Sequence, residues 1–161
     1  MFTSESLSGT KAEQYEQLLA QARALMHGEP DRIANAANIS ALAYHALPQL
    51  NWAGFYFFDG TELVVGPFQG LPACVRIPLD KGVCGAAAST RQTQRIADVH
   101  AFPGHIACDS ASNSELVVPL VGANGELIGV FDLDSPVLDR FDVEDQHGLE
   151  SIARAFVESL E

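Results

Sequence analysis

Residues 115–135, ELVVPLVGANGELIGVFDLDS, are the clearest signal of β-structure in the chain. Two runs rich in apolar residues flank Asn124-Gly125, a pair that is favoured in the tight turns of β-hairpins. An upstream stretch, WAGFYFFDGTELVVGPF at 52–68, has the same character and predicts a second hairpin around Asp59-Gly60. The two hairpins predict four strands that pair in antiparallel fashion.

Helical periodicity appears on both sides of these hairpins. Helices are predicted in KAEQYEQLLAQARALMHG (11–28), DRIANAANISALAYHALP (31–48), VCGAAASTRQ (83–92) and DVEDQHGLESIARAFVESL (142–160). Asp142 can cap the last helix, with Asp145 three residues further on. Short strands are predicted in CVRIPL (74–79) and TQRIADV (93–99).

This order of elements predicts a single α+β domain with a central antiparallel sheet. The N- and C-terminal helices are expected on one face, and loops that carry the cysteines on the other, over a ligand pocket. Residues 1–10 are rich in serine and threonine and are expected to be a loose N-terminal segment. The catalytic or binding domain is then expected to span residues 11–161.

Composition and charge exclude several classes of function. The 161 residues are 47% hydrophobic, and nine basic against 21 acidic side chains give a net charge of −12. With no basic cluster, the chain is not expected to bind nucleic acid. No apolar run approaches the ~18 residues of a membrane helix. The N-terminus also lacks the pattern of a signal peptide, so a cytoplasmic location is expected.

The second hairpin carries a pair of carboxylates. Asp132 and Asp134 alternate with Phe131 and Leu133, so the two acids share one face of the strand. This pattern fits an ordinary half-solvated strand, but it also fits carboxylates in a pocket. If the strands pair, Glu115 could approach the same place, and crowding would then raise at least one carboxyl pKa.

Two aromatic residues lie four apart on one face of the first hairpin. Trp52 and Tyr56 could simply pack in a core. They could equally form the wall of a pocket for a small ligand with a methyl or cationic group.

The three cysteines are Cys74, Cys84 and Cys108. Inert core thiols are one reading. Zinc binding, with His100 or His105 as a further ligand, is a second, but no Cys-x-x-Cys pair is present. Thiol redox catalysis, with one attacking and one resolving thiol, is a third. The composition alone leaves these open.

Structural roles are the simpler interpretation for the two histidines and two glycines near the cysteines. His100 and His105 flank AFPG, a turn-like stretch in which local hydrogen bonding is the simpler reading. Gly82 and Gly85 surround Cys84 and are expected to serve backbone geometry.

Three stretches together carry a resemblance to a known family. GPFQGLPACVRIPLDKGVCGAAA, DVHAFPGHIACDSASNSELVVPL and GVFDLDSP resemble the free methionine-(R)-sulfoxide reductases, which use a GAF-type domain. The resemblance extends over residues 15–156, and all three family cysteines are present at matching spacing.

The resemblance implies a role for each residue of the proposed site. Cys108 corresponds to the catalytic cysteine that attacks the sulfoxide, Cys74 to the main recycling cysteine that forms a disulfide with it, and Cys84 to a third cysteine of secondary role. The substrate pocket is implied to contain Trp52, Tyr56, Glu115, Asp132 and Asp134.

The implied reaction needs no metal or other cofactor. Free methionine-(R)-sulfoxide is the implied substrate, thioredoxin the implied reductant, and the family also hints at a homodimer. Cys108 would become a sulfenic acid and then a disulfide. The rival interpretation is a GAF module that senses a small ligand without turnover.

Overall fold

The computed structural model describes residues 2–106 and 108–161. Within these ranges the elements follow the predicted order: α1 (Lys11–Met26), α2 (Arg32–Ala46), β1 (Trp52–Phe58), β2 (Glu62–Gly70), β3 (Arg76–Pro78), α3 (Gly82–Thr90), β4 (Gln94–Ile96), a 3-10 turn (Val99–Ala101), β5 (Ser114–Val121), β6 (Leu127–Ser135) and α4 (Val143–Ser159). None of the helices in the described ranges is both long and apolar enough to cross a bilayer.

The strands form one six-stranded sheet in the order β3-β2-β1-β6-β5-β4. Every neighbouring pair is antiparallel. The two predicted hairpins, β1–β2 and β5–β6, meet through the β1–β6 pair at the centre. The predicted α+β class with an antiparallel sheet is therefore confirmed.

Each face of the sheet is buried by different elements. Phe55, Phe131 and Leu133 point into the larger core, where α1, α2 and α4 pack. Trp52 and Val130 point to the other side, into a smaller core closed by α3 and by the loops that carry the cysteines. Alternation along the strands thus separates a structural face from a face that bears a pocket, as predicted.

The first hairpin turns one residue later than predicted. The N–H of Asp59 donates to the carbonyl of Glu62 at 3.0 Å, which leaves Gly60 and Thr61 at the tip. Gly60 has a φ of +102°, a conformation that glycine adopts without strain. The Asp59 carboxylate accepts the N–H groups of Thr61 and Glu62, and this side-chain bonding moves the aspartate out of the tip.

The N-terminal segment runs along α1. Glu5 exchanges two hydrogen bonds with the side chain of Gln21, and Ser8 does the same with Gln17. Thr10 is the N-cap of α1 and forms a capping box with Glu13. The division of the chain at residue 10 stays a prediction.

A buried carboxylate ties the first helix to the last. Asp145 is fully buried; its Oδ1 accepts from the Tyr15 hydroxyl at 2.6 Å, and its Oδ2 accepts from Lys11 and Arg140 at 3.0 and 3.2 Å. Burial and the adjacent carboxylate raise the pKa of Tyr15, so its hydroxyl stays a donor. The α1–α4 contact therefore includes a charge-assisted network.

This network predicts a measurable loss of stability on removal of one hydroxyl. Tyr15→Phe leaves a buried carboxylate oxygen without its donor, so the free energy of unfolding should fall by about 1.5–3 kcal/mol in urea titrations. Tyr44→Phe is the matched control, since no hydrogen bond of its hydroxyl occurs among the described residues. Equal stability of the two variants would show that the Tyr15 hydroxyl contributes nothing to the network.

Candidate active site

A small cavity of about 40 Å³ lies between the second face of the sheet and the loops above it. This is room for only a few water molecules. Cys74 reaches its edge through a bond to Cys108. The other predicted site residues line the cavity: Trp52, Tyr56, Cys84, Cys108, Glu115, Asp132 and Asp134.

Strand register sets the spacing of the acids. Trp52, Asp134 and Glu115 occupy directly opposed positions on β1, β6 and β5. Asp132 lies two residues along β6, opposite Gly54. Side chains that oppose each other across a strand pair are about 4.5–5.5 Å apart at Cβ. The register therefore brings three carboxyl groups onto one patch of the cavity floor.

These carboxyl groups are held away from water. Glu115 and Asp132 are 7% and 4% exposed. Burial first, and then the charge of a neighbouring carboxylate, raises the pKa of Glu115, Asp132 and Asp134 well above the usual range. Asp132 Oδ1 is buried and has no hydrogen-bond partner among the described residues. The carboxyl groups of the floor are therefore stabilised either by a ligand that brings a positive charge or by keeping a proton.

Cys84 belongs to this floor and differs from the other cysteines. It lies in the first turn of α3, and its thiol donates to Glu115 Oε2 at 3.9 Å. Burial and the surrounding carboxylates raise the pKa of Cys84, which makes it a neutral thiol rather than a nucleophile. Cys84, Glu115 and Asp132 place ligand atoms within 4.8 Å of one another, an arrangement that could hold a metal ion.

The other two cysteines form a disulfide. Cys74 and Cys108 are 34 residues apart in sequence, and their Cα atoms are 5.3 Å apart. In this form neither sulfur is free to bind zinc, so the four-ligand zinc set considered from sequence cannot assemble. The pairing implied by the family resemblance is the one that the structure contains.

Aromatic rings make one wall of the cavity. The Trp52 ring stacks on Tyr56 and on Phe68, with centroids 5.7 and 5.1 Å apart. Its Nε1 donates to the carbonyl of Leu71 at 3.2 Å. Gly54 makes the stack feasible, because a Cβ there would lie 2.3 Å from the Cβ of Phe68. Burial and then Asp132 raise the pKa of Tyr56, so its phenol stays protonated.

The residues that hold the Cys108 loop are not among those predicted from the sequence. Asn51 Nδ2 donates to Asp109 Oδ2 and to Ser112 Oγ, at 3.0 Å each. The Asn51 N–H in turn donates to the carbonyl of Asp134, so this tether connects the loop directly to β6. No periodicity marks Asn51; only its place just before a buried strand could have drawn attention to it.

The histidines and glycines have separate roles. His100 Nε2 is 3.1 Å from Asn113 Oδ1, a local hydrogen bond as expected. His105 instead lines the cavity, where burial and then His100 lower its pKa. Gly82 has a φ of +67°, and a Cβ at Gly85 would lie 2.8 Å from the carbonyl of Pro78. Both glycines thus serve backbone geometry.

Comparisons with known proteins agree with this geometry. The family model of the GAF domain matches residues 34–161. A free methionine-R-sulfoxide reductase of Escherichia coli is 55% identical over 142 residues, covering 88% of this chain and 86% of that protein. The corresponding protein of Saccharomyces cerevisiae is 44% identical over 151 residues, covering 89% and 84%.

A solved structure extends the similarity to three dimensions. The free methionine-R-sulfoxide reductase of Neisseria meningitidis, in complex with its substrate, superposes with a TM-score of 0.94. The two chains are 40% identical, and the match covers 99% of this chain and 96% of that one. Fold, thiols and acidic cavity therefore lead to one assignment: this chain belongs to the free methionine-R-sulfoxide reductases, oxidoreductases built on a GAF domain.

Proposed function

We propose that the protein reduces free methionine-(R)-sulfoxide to methionine, with Cys108 as the oxygen acceptor and Cys74 as the resolving thiol. One observation carries the proposal. A disulfide joins these two cysteines at the edge of a cavity whose floor holds two buried carboxyl groups, Glu115 and Asp132, and the half-buried Asp134. An attacking sulfur and a proton source thus face one small space.

The first step transfers the oxygen. The Cys108 thiolate attacks the sulfoxide sulfur while a floor carboxyl group protonates the sulfoxide oxygen. A bond forms between the two sulfurs as the S–O bond of the substrate breaks, and the protonated oxygen leaves as hydroxide. Hydroxide then attacks the Cys108 sulfur, the bond between the two sulfurs breaks, methionine leaves, and Cys108 becomes a sulfenic acid. Sulfur of the substrate is reduced by two electrons, and sulfur of Cys108 is oxidised by two.

The floor has the properties of a proton donor. A carboxyl group with a raised pKa keeps its proton near neutral pH and can pass it to a poor leaving oxygen. Glu115, Asp132 and Asp134 all qualify by burial and by mutual repulsion. A floor carboxyl group that stays ionised disfavours a thiolate nearby, but the ammonium group of the bound substrate offsets this. Cys108 is therefore activated mainly in the complex.

The same floor favours a free amino acid over a peptide. A carboxylate such as Asp132, with one oxygen unpartnered, accepts the α-ammonium group of the substrate. A peptide-bonded methionine sulfoxide has no such cation and would leave that carboxylate buried and unpaired. Trp52 and Tyr56 supply the wall against the methyl and methylene groups.

The second step forms the disulfide. The Cys74 thiol attacks the Cys108 sulfenic acid, a sulfur–sulfur bond forms, and water leaves. Thioredoxin then reduces the disulfide by thiol–disulfide exchange. In the disulfide form, protein atoms leave a cavity of only about 40 Å³, so substrate enters after this reduction. A cytoplasmic location and a homodimer stay predictions.

A turnover assay with separated epimers tests the proposal. With thioredoxin, its reductase and NADPH, free methionine-(R)-sulfoxide should be turned over, and the S epimer should be turned over at least about a hundredfold more slowly. N-acetyl methionine-(R)-sulfoxide is the matched control for the ammonium contact and should be equally poor. Binding of the R epimer without formation of methionine would instead favour the sensor interpretation.

A further inference from the structure

The disulfide between Cys74 and Cys108 needs two electrons from outside the chain. Cys84, the third thiol, is 5% exposed and donates to Glu115 inside the cavity, so it cannot meet a soluble donor. A second copy of the chain is no better. Exchange with a reduced copy would only move the disulfide from one copy to the other.

Two exposed side chains flank Cys74 on the outer surface. Leu71 and Val75 are 66% and 62% exposed, more than any other large apolar side chain in the described ranges. We call this pair, with the intervening backbone, the recycling patch. Hydrogen bonds hold both ends of the patch. Trp52 Nε1 donates to the carbonyl of Leu71, and the N–H of Val65 donates to the carbonyl of Val75 at 2.9 Å.

We propose that the recycling patch is the docking surface for the dithiol protein that reduces the enzyme, and that this protein attacks the sulfur of Cys74. The inference rests on the proposed function. Residues 70–75 carry no charge although the chain has a net charge of −12. A partner protein that docks on the patch therefore meets no charged side chain within this segment. An uncharged surface with two exposed apolar side chains has the composition found at the centre of protein–protein interfaces, and here it lies beside a redox-active sulfur.

The positions of the two sulfurs determine which of them the partner attacks. A partner thiolate bonds to Cys74, the Cys74–Cys108 bond breaks, and Cys108 leaves as a thiolate. That thiolate lies at the cavity, where a protonated carboxyl group of the floor can pass its proton to the leaving sulfur and make it a neutral thiol. The second thiol of the partner then attacks its own sulfur and releases Cys74. Enzyme disulfide and partner dithiol become enzyme dithiol and partner disulfide.

Steady-state kinetics of surface variants test the docking surface. We expect Leu71→Ser with Val75→Ser to raise the KM for thioredoxin about tenfold, the effect of truncating anchor side chains. Turnover driven by dithiothreitol, and the single turnover without reductant, should stay as in wild type. Leu138→Ser and Ile33→Ser are matched controls, since both residues are more than half exposed and lie outside the patch.

The outcomes separate the docking surface from the proposed function. A normal KM for thioredoxin in the double variant would overturn the docking surface while leaving the reductase activity intact. Loss of the dithiothreitol-driven rate would overturn it too, by showing damage to the site itself. A dimer that becomes a monomer in the double variant would assign the patch to self-association instead.

A trapping experiment tests the direction of attack. Thioredoxin with serine in place of its second cysteine forms a stable mixed disulfide with its target. Peptide mapping of the oxidised enzyme after this reaction should find the mixed disulfide at Cys74. A mixed disulfide at Cys108 would overturn the inferred direction.

Discussion

Cys108→Ser is expected to form no methionine even in a single turnover. A serine hydroxyl in that place is a far weaker nucleophile and cannot form a sulfenic acid, so the loss should be about 10⁴-fold or more. The measurement is a quenched reaction of reduced enzyme with free methionine-(R)-sulfoxide, without added reductant. Methionine per enzyme molecule is counted.

The other two cysteines provide the matched controls for this result. Cys74→Ser should release one methionine and then stop, with Cys108 left as a sulfenic acid that mass spectrometry detects as one added oxygen. Cys84→Ser should keep both the single turnover and recycling, because Cys84 is a buried donor to Glu115 rather than a partner of the disulfide. Equal losses in all three variants would contradict the assigned roles and would favour a metal site or a purely structural one.

Amide substitution of the floor should give the second large effect. Glu115→Gln, Asp132→Asn and Asp134→Asn keep shape but remove the acid. The variant that lacks the proton donor should lose about 10²–10⁴-fold in kcat. The variant that lacks the ammonium acceptor should mainly raise KM. Three variants with wild-type kcat and KM would exclude the floor from the reaction.

The pH dependence of kcat provides a second test of the proton donor. The donor acts in its protonated form, so kcat should fall as pH rises through its raised pKa. The donor variant should lose that alkaline limb while the others keep it. If kcat of the wild-type enzyme instead rises continuously into the alkaline range, protonation by the floor is excluded.

The amide variants should be more stable than the wild type although they are less active. With raised pKa values, the folded protein binds more protons than the unfolded chain, so this contribution to stability is complete at low pH and is lost as pH rises. The loss begins near the pKa of an unfolded carboxyl group, about 4, and continues through the raised values. At pH 8, with the disulfide reduced in every protein, the amide variants should therefore unfold at a higher urea concentration than the wild type. Lower stability of all three would contradict the burial of charge on the floor.

Much of the fold was predictable because its signals are local. The alternation of Phe131 and Leu133 with Asp132 and Asp134 assigns their faces without any partner strand, since successive side chains in a strand point to opposite sides. The cap of α4 at Asp142 also depends only on residues three positions apart. The turn of the first hairpin was misplaced by one residue, because the Asp59 carboxylate competes for the backbone N–H groups.

The order of the elements and the two faces of the sheet follow from the amino-acid sequence alone, and the resemblance adds the residues expected at the site. Three features became visible only in the folded chain: Glu115 lies opposite Asp134, Asn51 tethers the Cys108 loop, and His105 reaches the cavity. Periodicity is a property of neighbours along the chain. Strand register, the desolvation of three acids and the meeting of sulfurs 34 residues apart depend on packing between distant segments.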